Sequence, residues 1–184
     1  FRSIVFRSGP ETMHVSDHEL VSVIIPTRNR REHLARAIES VRHQTWKNVE
    51  IIVVDDASSD GTQEYLCQLA TESKSIKFVR NEIPQGGAGA RNTGISIAQG
   101  SFIAFLDDDD VWLPEKLEYQ IDALKSEPDA SAVSCWFHIE AANGARSLIR
   151  LHAPADTQEI LRSNHLGGAS MCLTKKSYVD AIGG

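Results

Sequence analysis

Four short apolar runs alternate with stretches of helical periodicity, and this alternation limits the possible folds more than any other feature. The runs are residues 21–25 (VSVII), 50–54 (EIIVV), 76–79 (IKFV) and 102–106 (FIAFL). They are short and almost uninterrupted by polar residues, so they read as strands buried on both faces. Between the first two, Leu34, Ile38 and Val41 recur at i, i+4 and i+7, the spacing of an amphipathic helix over 31–44, with Asn29 as its expected N-cap. Tyr65, Leu66 and Leu69 mark a second helix and residues 91–99 a third. Leu117, Ile121 and Leu124 mark a fourth, opened by Pro114. Such alternation predicts an α/β chain with a Rossmann-like, mostly parallel sheet and helices on both faces.

After Pro128 the pattern changes. Residues 131–137 and 145–151 read as two strands joined around Asn143-Gly144, a good hairpin turn. A short helix near 157–163, a strand at 169–173 and a helix from Lys175 follow. No repeat or linker interrupts the chain, so residues 21–184 are expected to form one domain. Residues 1–20 are an N-terminal extension in which Met13 is a candidate natural start.

Composition excludes several classes of function. The 184 residues are 41% hydrophobic and 24% charged, which is ordinary for a globular domain able to bury one core without staples. A net charge of −6 disfavours nucleic acid as a partner, because backbone binding needs clustered Lys and Arg. Cys67, Cys135 and Cys172 form no CxxC pair and suggest a reducing compartment. No run is long enough to span a membrane, and residues 1–12 lack the apolar stretch of a secretory signal. The seven histidines show no zinc-ligand spacing, and there is no GxSxG nucleophile elbow.

Ligands of open α/β sheets collect at the carboxyl ends of the strands, and three polar clusters stand at such ends. They are Pro26-Thr27-Arg28-Asn29, Asp55-Asp56, and Asp107 to Asp110. Four successive carboxylates repel one another unless a cation intervenes, and oxygen-only ligands favour Mg²⁺ or Mn²⁺. The alternative is a solvated acidic turn, with Asp110 near a helix N-terminus. Asp55 and Asp56 are placed to accept hydrogen bonds from a base or ribose, whereas Ser58, Ser59 and Asp60 read as turn and capping residues. The glycine-rich segment 86–94 is not a dinucleotide fingerprint: starting at Gly87, the third glycine position holds Asn92, and Ile83-Pro84-Gln85 rather than a strand precedes it. It reads instead as a flexible loop delivering Arg91 to a phosphate.

Taken in order, VSVIIPTRN, EIIVVDDASSDGT, GAGARNTG and FIAFLDDDDVWLPEKL resemble family 2 of the inverting glycosyltransferases, which have the GT-A fold; the likeness runs over residues 21–184. It implies transfer of a sugar from a nucleotide-diphosphate sugar, UDP-linked by family habit, to a saccharide, lipid-linked or protein acceptor, with Mg²⁺ or Mn²⁺. It also implies a role in polysaccharide or glycoconjugate synthesis in the cytoplasm, at the inner face of a membrane with which the protein makes peripheral contact. Carried over residue by residue, Thr27, Arg28 and Asn29 line the base, Asp56 contacts uracil, Asp55 supports the turn, and Arg91 lies near the nucleotide. Asp107-Asp108-Asp109 matches the DxD motif, with Asp109 the metal ligand; Asp107, Asp108 and Asp110 are left to ribose, diphosphate or supporting roles. Gly167 to Met171 matches the stretch leading to the acceptor.

Two features depart from the family pattern. Arg28 stands where an aromatic residue is common, so any stacking on the base would use a flat cation. The family's catalytic base follows a Gly-Gly-Phe-like stretch, whereas here the sequence runs to Ile182-Gly183-Gly184, so the base is expected beyond Gly184. Asp156 and Asp180 are the substitutes within the sequence, but nothing in their spacing recommends them, and Asp180 falls inside the terminal helix. A nucleotidyltransferase-like enzyme and a non-catalytic nucleotide or metal-binding module are the alternative readings.

Overall fold

A computed structural model of the chain describes residues 3–7, 18–152, 165 and 167–183. The strands are β1 (Ser3–Arg7), β2 (Val21–Thr27), β3 (Val49–Asp56), β4 (Ile76–Asn81), β5 (Phe102–Phe105), β6 (Ala130–Cys135), β7 (Phe137–Glu140), β8 (Arg146–Ile149) and β9 (Cys172–Lys175). The helices are α1 (Arg31–Arg42), α2 (Thr62–Glu72), α3 (Gly86–Ile97), α4 (Lys116–Ser126) and α5 (Lys176–Ile182). Seven strands form one sheet in the order β1-β6-β9-β5-β2-β3-β4, and β7-β8 form a separate hairpin. β5, β2, β3 and β4 are mutually parallel, while β9 and β1 run against their neighbours.

Side chains of β2 alternate between two cores, which explains its unbroken apolar run. Val21, Val23 and Ile25 pack with Leu34, Ile38, Leu66, Leu117 and Ile121 on the face covered by α1, α2 and α4. Ile24 packs with Ile52, Ile103, Ala90 and Ile95 on the face covered by α3, joined by Val179 of α5. The chain leaves β2 through α1 to β3 on one side, then returns through α3 to β5 on the other. This reversal opens a crevice beyond the carboxyl ends of β2 and β5.

Gly94 shows how closely α3 is seated. A Cβ there would lie 2.4 Å from Ile24 Cγ2. Alanine favours helix by about 1 kcal/mol over glycine, but overpacking a tight contact costs about 1–3 kcal/mol. Because the clash is deep in the core, overpacking wins. Gly94→Ala should lose roughly 2 kcal/mol net, or about 4–8 °C in a thermal melt. An unchanged or higher melting temperature would mean that the helix can move off the sheet at little cost.

Several local expectations change. α3 begins at Gly86 and not at Arg91, so the glycine-rich segment expected as a flexible loop before Arg91 forms the first turns of the helix. Asn29 is not the N-cap of α1; Arg30 holds that place with no side-chain cap bond of its own. Asn29 instead has φ 54°, and its side chain accepts a 2.7 Å bond from the Ser59 N–H. The α1 amide of Arg31 donates to Asp60 in the loop after β3. The expected strand at 131–137 divides at Trp136 into β6 and β7, and the one at 169–173 opens with a 3₁₀ turn, Ala169–Met171. Residues 3–7 of the N-terminal extension join the sheet as an edge strand beside β6. The helix expected near 157–163 lies outside the described residues.

Candidate functional site

The crevice holds a cavity of about 440 Å³ lined by Pro26, Thr27, Arg28, Arg30, Asp56, Gly86, Gly87, Ala90, Asp107, Asp108 and Asp109. It therefore brings together residues from all three strand-end clusters and the glycine-rich segment. Asn29, Asp55 and Arg91 do not line it, although Arg91 reaches a carboxylate that does.

β2 outruns its neighbour: Ile24 is in register with Phe105, so Thr27 projects over the acidic loop that follows β5. The Thr27 hydroxyl donates to Asp108 Oδ2 at 2.8 Å. Arg30 Nη1 donates to Asp108 Oδ1 at 3.2 Å and to Asp109 Oδ2 at 2.9 Å. Arg91 pairs with Asp107. Mutual repulsion in the acidic run is thus relieved by two arginines. The exception is Asp110, whose carboxyl is pushed up by burial and further by Asp107 and Asp109, against a lowering bond from Ser170.

Ser170 ties this loop to the 3₁₀ turn. Its Oγ accepts from the Asp107 N–H at 2.9 Å, and its carbonyl accepts from Trp112 Nε1 at 2.8 Å. Trp112 is buried, and Lys116 lies 4.0 Å from the centre of its ring. Burial lowers the Lys116 ammonium to about 8. A buried aromatic and a buried cation thus form the floor under the acidic loop.

The two aspartates ending β3 face different surroundings. Asp55 is fully buried; it accepts from the Ser58 N–H at 2.9 Å and pairs with Arg80 at the end of β4. Asp56 accepts from Asn81 Nδ2 at 2.9 Å, from the Gln85 N–H at 2.9 Å and from the Gly86 N–H at 2.9 Å. Burial would raise the Asp56 carboxyl, but these bonds outweigh it and hold the group below the usual range. Asp56 therefore caps α3 from a neighbouring strand, a favourable place for an anion.

The glycines beside it have separate reasons. Gly86 has φ +72°, which a side chain would strain, and a Cβ at Gly87 would come within 3.2 Å of Arg91 Nη1. Arg91 Nε is buried with no hydrogen-bond partner among the described residues.

Arg30, Arg80, Asn81 and Trp112 escaped the sequence reading. Arg80 and Asn81 end β4, where the strand-end rule could have found them. Arg30 has only its place next to Asn29 to recommend it. Asp180 pairs with Lys176 one turn earlier in α5, and Asp156 lies outside the described residues.

For a divalent ion the donor set is sparse: among the described residues no three His, Cys, Asp or Glu side chains converge. That suits Mg²⁺ or Mn²⁺, which take one or two carboxylates and complete their shell with phosphate and water. Asp109 is the more accessible carboxylate, with its side chain 53% exposed, and would be the one to hold such an ion; a cationic nitrogen already sits between it and Asp108. The residues present fit such an ion.

Comparison with known proteins places these features in context. The profile described as Glycosyl transferase family 2 matches residues 22–183. The UDP-Glc:alpha-D-GlcNAc-diphosphoundecaprenol beta-1,3-glucosyltransferase WfgD of Escherichia coli is 44% identical over 108 residues, covering 59% of this chain and 42% of that protein. The putative teichuronic acid biosynthesis glycosyltransferase TuaG of Bacillus subtilis is 35% identical over 157 residues, covering 84% and 60%. The mannosyltransferase PcManGT of Pyrobaculum calidifontis, solved with GDP-Man and Mn²⁺, superposes with a TM-score of 0.69 at 23% identity, over 91% of this chain and 47% of that one. The chain thus spans about half the length of relatives it matches.

Proposed function

The chain belongs to glycosyl transferase family 2, and from that premise we propose that its crevice binds a nucleotide-diphosphate sugar and passes the sugar to an acceptor hydroxyl with inversion. We further propose a UDP-sugar donor and a lipid-linked acceptor, the donor and acceptor types that the name of the WfgD relative gives for that enzyme, together with dependence on Mg²⁺ or Mn²⁺ and a place in polysaccharide synthesis. One observation carries this reading: Asp107, Asp108 and Asp109 form the rim of a 440 Å³ cavity whose other walls are Thr27, Arg28 and the amino end of α3. That volume lies in the ligand-pocket range of about 300–1,000 Å³.

Each residue then has a task. Pro26, Thr27 and Arg28 form the wall for the base, where the flat Arg28 guanidinium can lie against a ring. Asp56 fixes the start of α3 and so the position of Gly86 and Gly87, whose small size lets a ligand approach the backbone. Arg91, paired with Asp107 at the rim and with an Nε that has no partner among the described residues, is the cation assigned to the diphosphate. Asp109 holds the ion, and Asp107 and Asp108 are kept in place by Arg91 and Thr27. When bound, the ion supplies Lewis acidity, offsetting the charge that builds on the departing diphosphate. The acceptor hydroxyl approaches from the open side, opposite the diphosphate, and a carboxylate takes its proton.

No helix among the described residues is long and apolar enough to cross a membrane. The test is a thermal-shift panel of UDP, dTDP, GDP and ADP, each with and without Mn²⁺. A ligand at 100 times its Kd adds about 2.7 kcal/mol, or roughly 5–11 °C at this chain length. We expect a Mn²⁺-dependent rise of that size with UDP. A rise with GDP alone would change the donor, and no rise with any nucleotide would defeat the reading.

A further inference from the structure

Arg30 occupies an unusual place. Its backbone is set by the start of α1, yet its side chain is 51% exposed and has room to move. A single nitrogen, Nη1, bridges two carboxylates, at 3.2 Å from Asp108 Oδ1 and 2.9 Å from Asp109 Oδ2. Mg²⁺ takes its oxygen ligands at about 2.0–2.1 Å, so it cannot share that position with a nitrogen.

We propose that Arg30 is a built-in competitor for the metal: it neutralises Asp108 and Asp109 in the ion-free protein and must leave before the ion can bind. This rests on the reading of Asp109 as the ligand. Two consequences follow from the geometry. The acidic loop stays folded without an ion, because Thr27, Ser170 and Arg30 together already hold it. Affinity for the free ion is kept low, so the ion binds well only when donor phosphates add their own oxygens. The displaced guanidinium remains at the cavity wall it already lines.

Calorimetric titration of Mn²⁺ without nucleotide tests this on the wild type, Arg30→Ala, Arg30→Gln, Arg30→Lys and Asp109→Asn. Both neutral variants should bind Mn²⁺ roughly three- to tenfold more tightly, the effect expected of two partly exposed ion pairs. Arg30→Lys, which keeps the charge, should stay near the wild type, and Asp109→Asn should lose binding. Thermal melts give a second readout: Arg30→Ala should melt below the wild type without ion, and excess Mn²⁺ should close the gap. If the wild type binds through Asp109 but the neutral variants bind no more tightly, this inference fails while the metal reading stands. If neither the wild type nor either neutral variant takes up Mn²⁺, this inference fails and the melts with UDP and Mn²⁺ decide the metal reading; if Asp109→Asn binds as well as the wild type, both fail.

Discussion

Asp109→Asn should remove the Mn²⁺-dependent stabilisation by nucleotide and lower the kcat of the full-length protein by about 10²–10³-fold, the loss typical of one preorganised charge-stabilising group, about 2.7–4 kcal/mol. The fold should hardly notice. The Asp109 side chain is 53% exposed, and its recorded partner is the half-exposed Arg30. An exposed change of this kind usually stays within about 0.5 kcal/mol. A thermal melt without ligand should therefore match the wild type, while a melt with UDP and Mn²⁺ should not. Asp108→Asn is a poorer probe, because Asp108 is buried and accepts from Thr27, so fold and binding would change together. Full activity in Asp109→Asn, measured by sugar transfer over a range of Mn²⁺ concentrations, would remove this residue from the mechanism.

Asp56→Ala should produce the largest loss of stability among single changes at the site. It strands the buried Asn81 amide and the N–H groups of Gln85 and Gly86. Hydrogen bonds to a charged group contribute about 1.5–3 kcal/mol each, and water will reach some of the stranded groups. A net loss of about 3–5 kcal/mol is expected, or roughly 6–20 °C in the melt. Asp56→Asn should recover little, because its amide would present donors to donors.

The pH dependence has a definite sign. The folded carboxyl lies below its usual value, so its contribution is complete above the unfolded pKa of about 3.9 and is lost as pH falls through the lower folded pKa. The gap between wild type and Asp56→Ala should therefore hold at neutral pH and narrow below about pH 4. Melts at pH 7 and pH 3 check both points. A gap that persists unchanged at pH 3 would show that the carboxylate charge is not what holds the start of α3.

Asp56 also shows how far a motif carries. Its type and position at the end of β3 are plain in the sequence, and a hydrogen-bond acceptor was expected there. The resemblance directed that acceptor to uracil, whereas the structure directs both its oxygens to Asn81 and the start of α3 and still leaves the residue on the cavity wall. Helix α3 was expected late for a related reason. Four of its first nine residues are glycine, and glycine weakens an isolated helix by about 1 kcal/mol each. The cap from Asp56 and the close seat of Gly94 on Ile24 offset a penalty that local propensity alone would enforce.

The alternation of strands and helices from β2 to α4, the placing of polar clusters at strand ends and the family were all determined by the sequence alone. Burial on both faces writes a continuous apolar run, and helix amphipathicity writes a period of 3.6; both signals are local. Tertiary structure decided the rest. Arg30 and Asp109 are 79 positions apart, and nothing periodic links them. They meet because the crossover through α3 puts β5 beside β2, on the side opposite β3. The same step brings Thr27 over Asp108, and the pairing of β9 with β5 brings Ser170 under Asp107. Charge pairing acts through space, so which cation neutralises which acid depends on strand order, a property of the whole sheet that no short stretch of chain encodes.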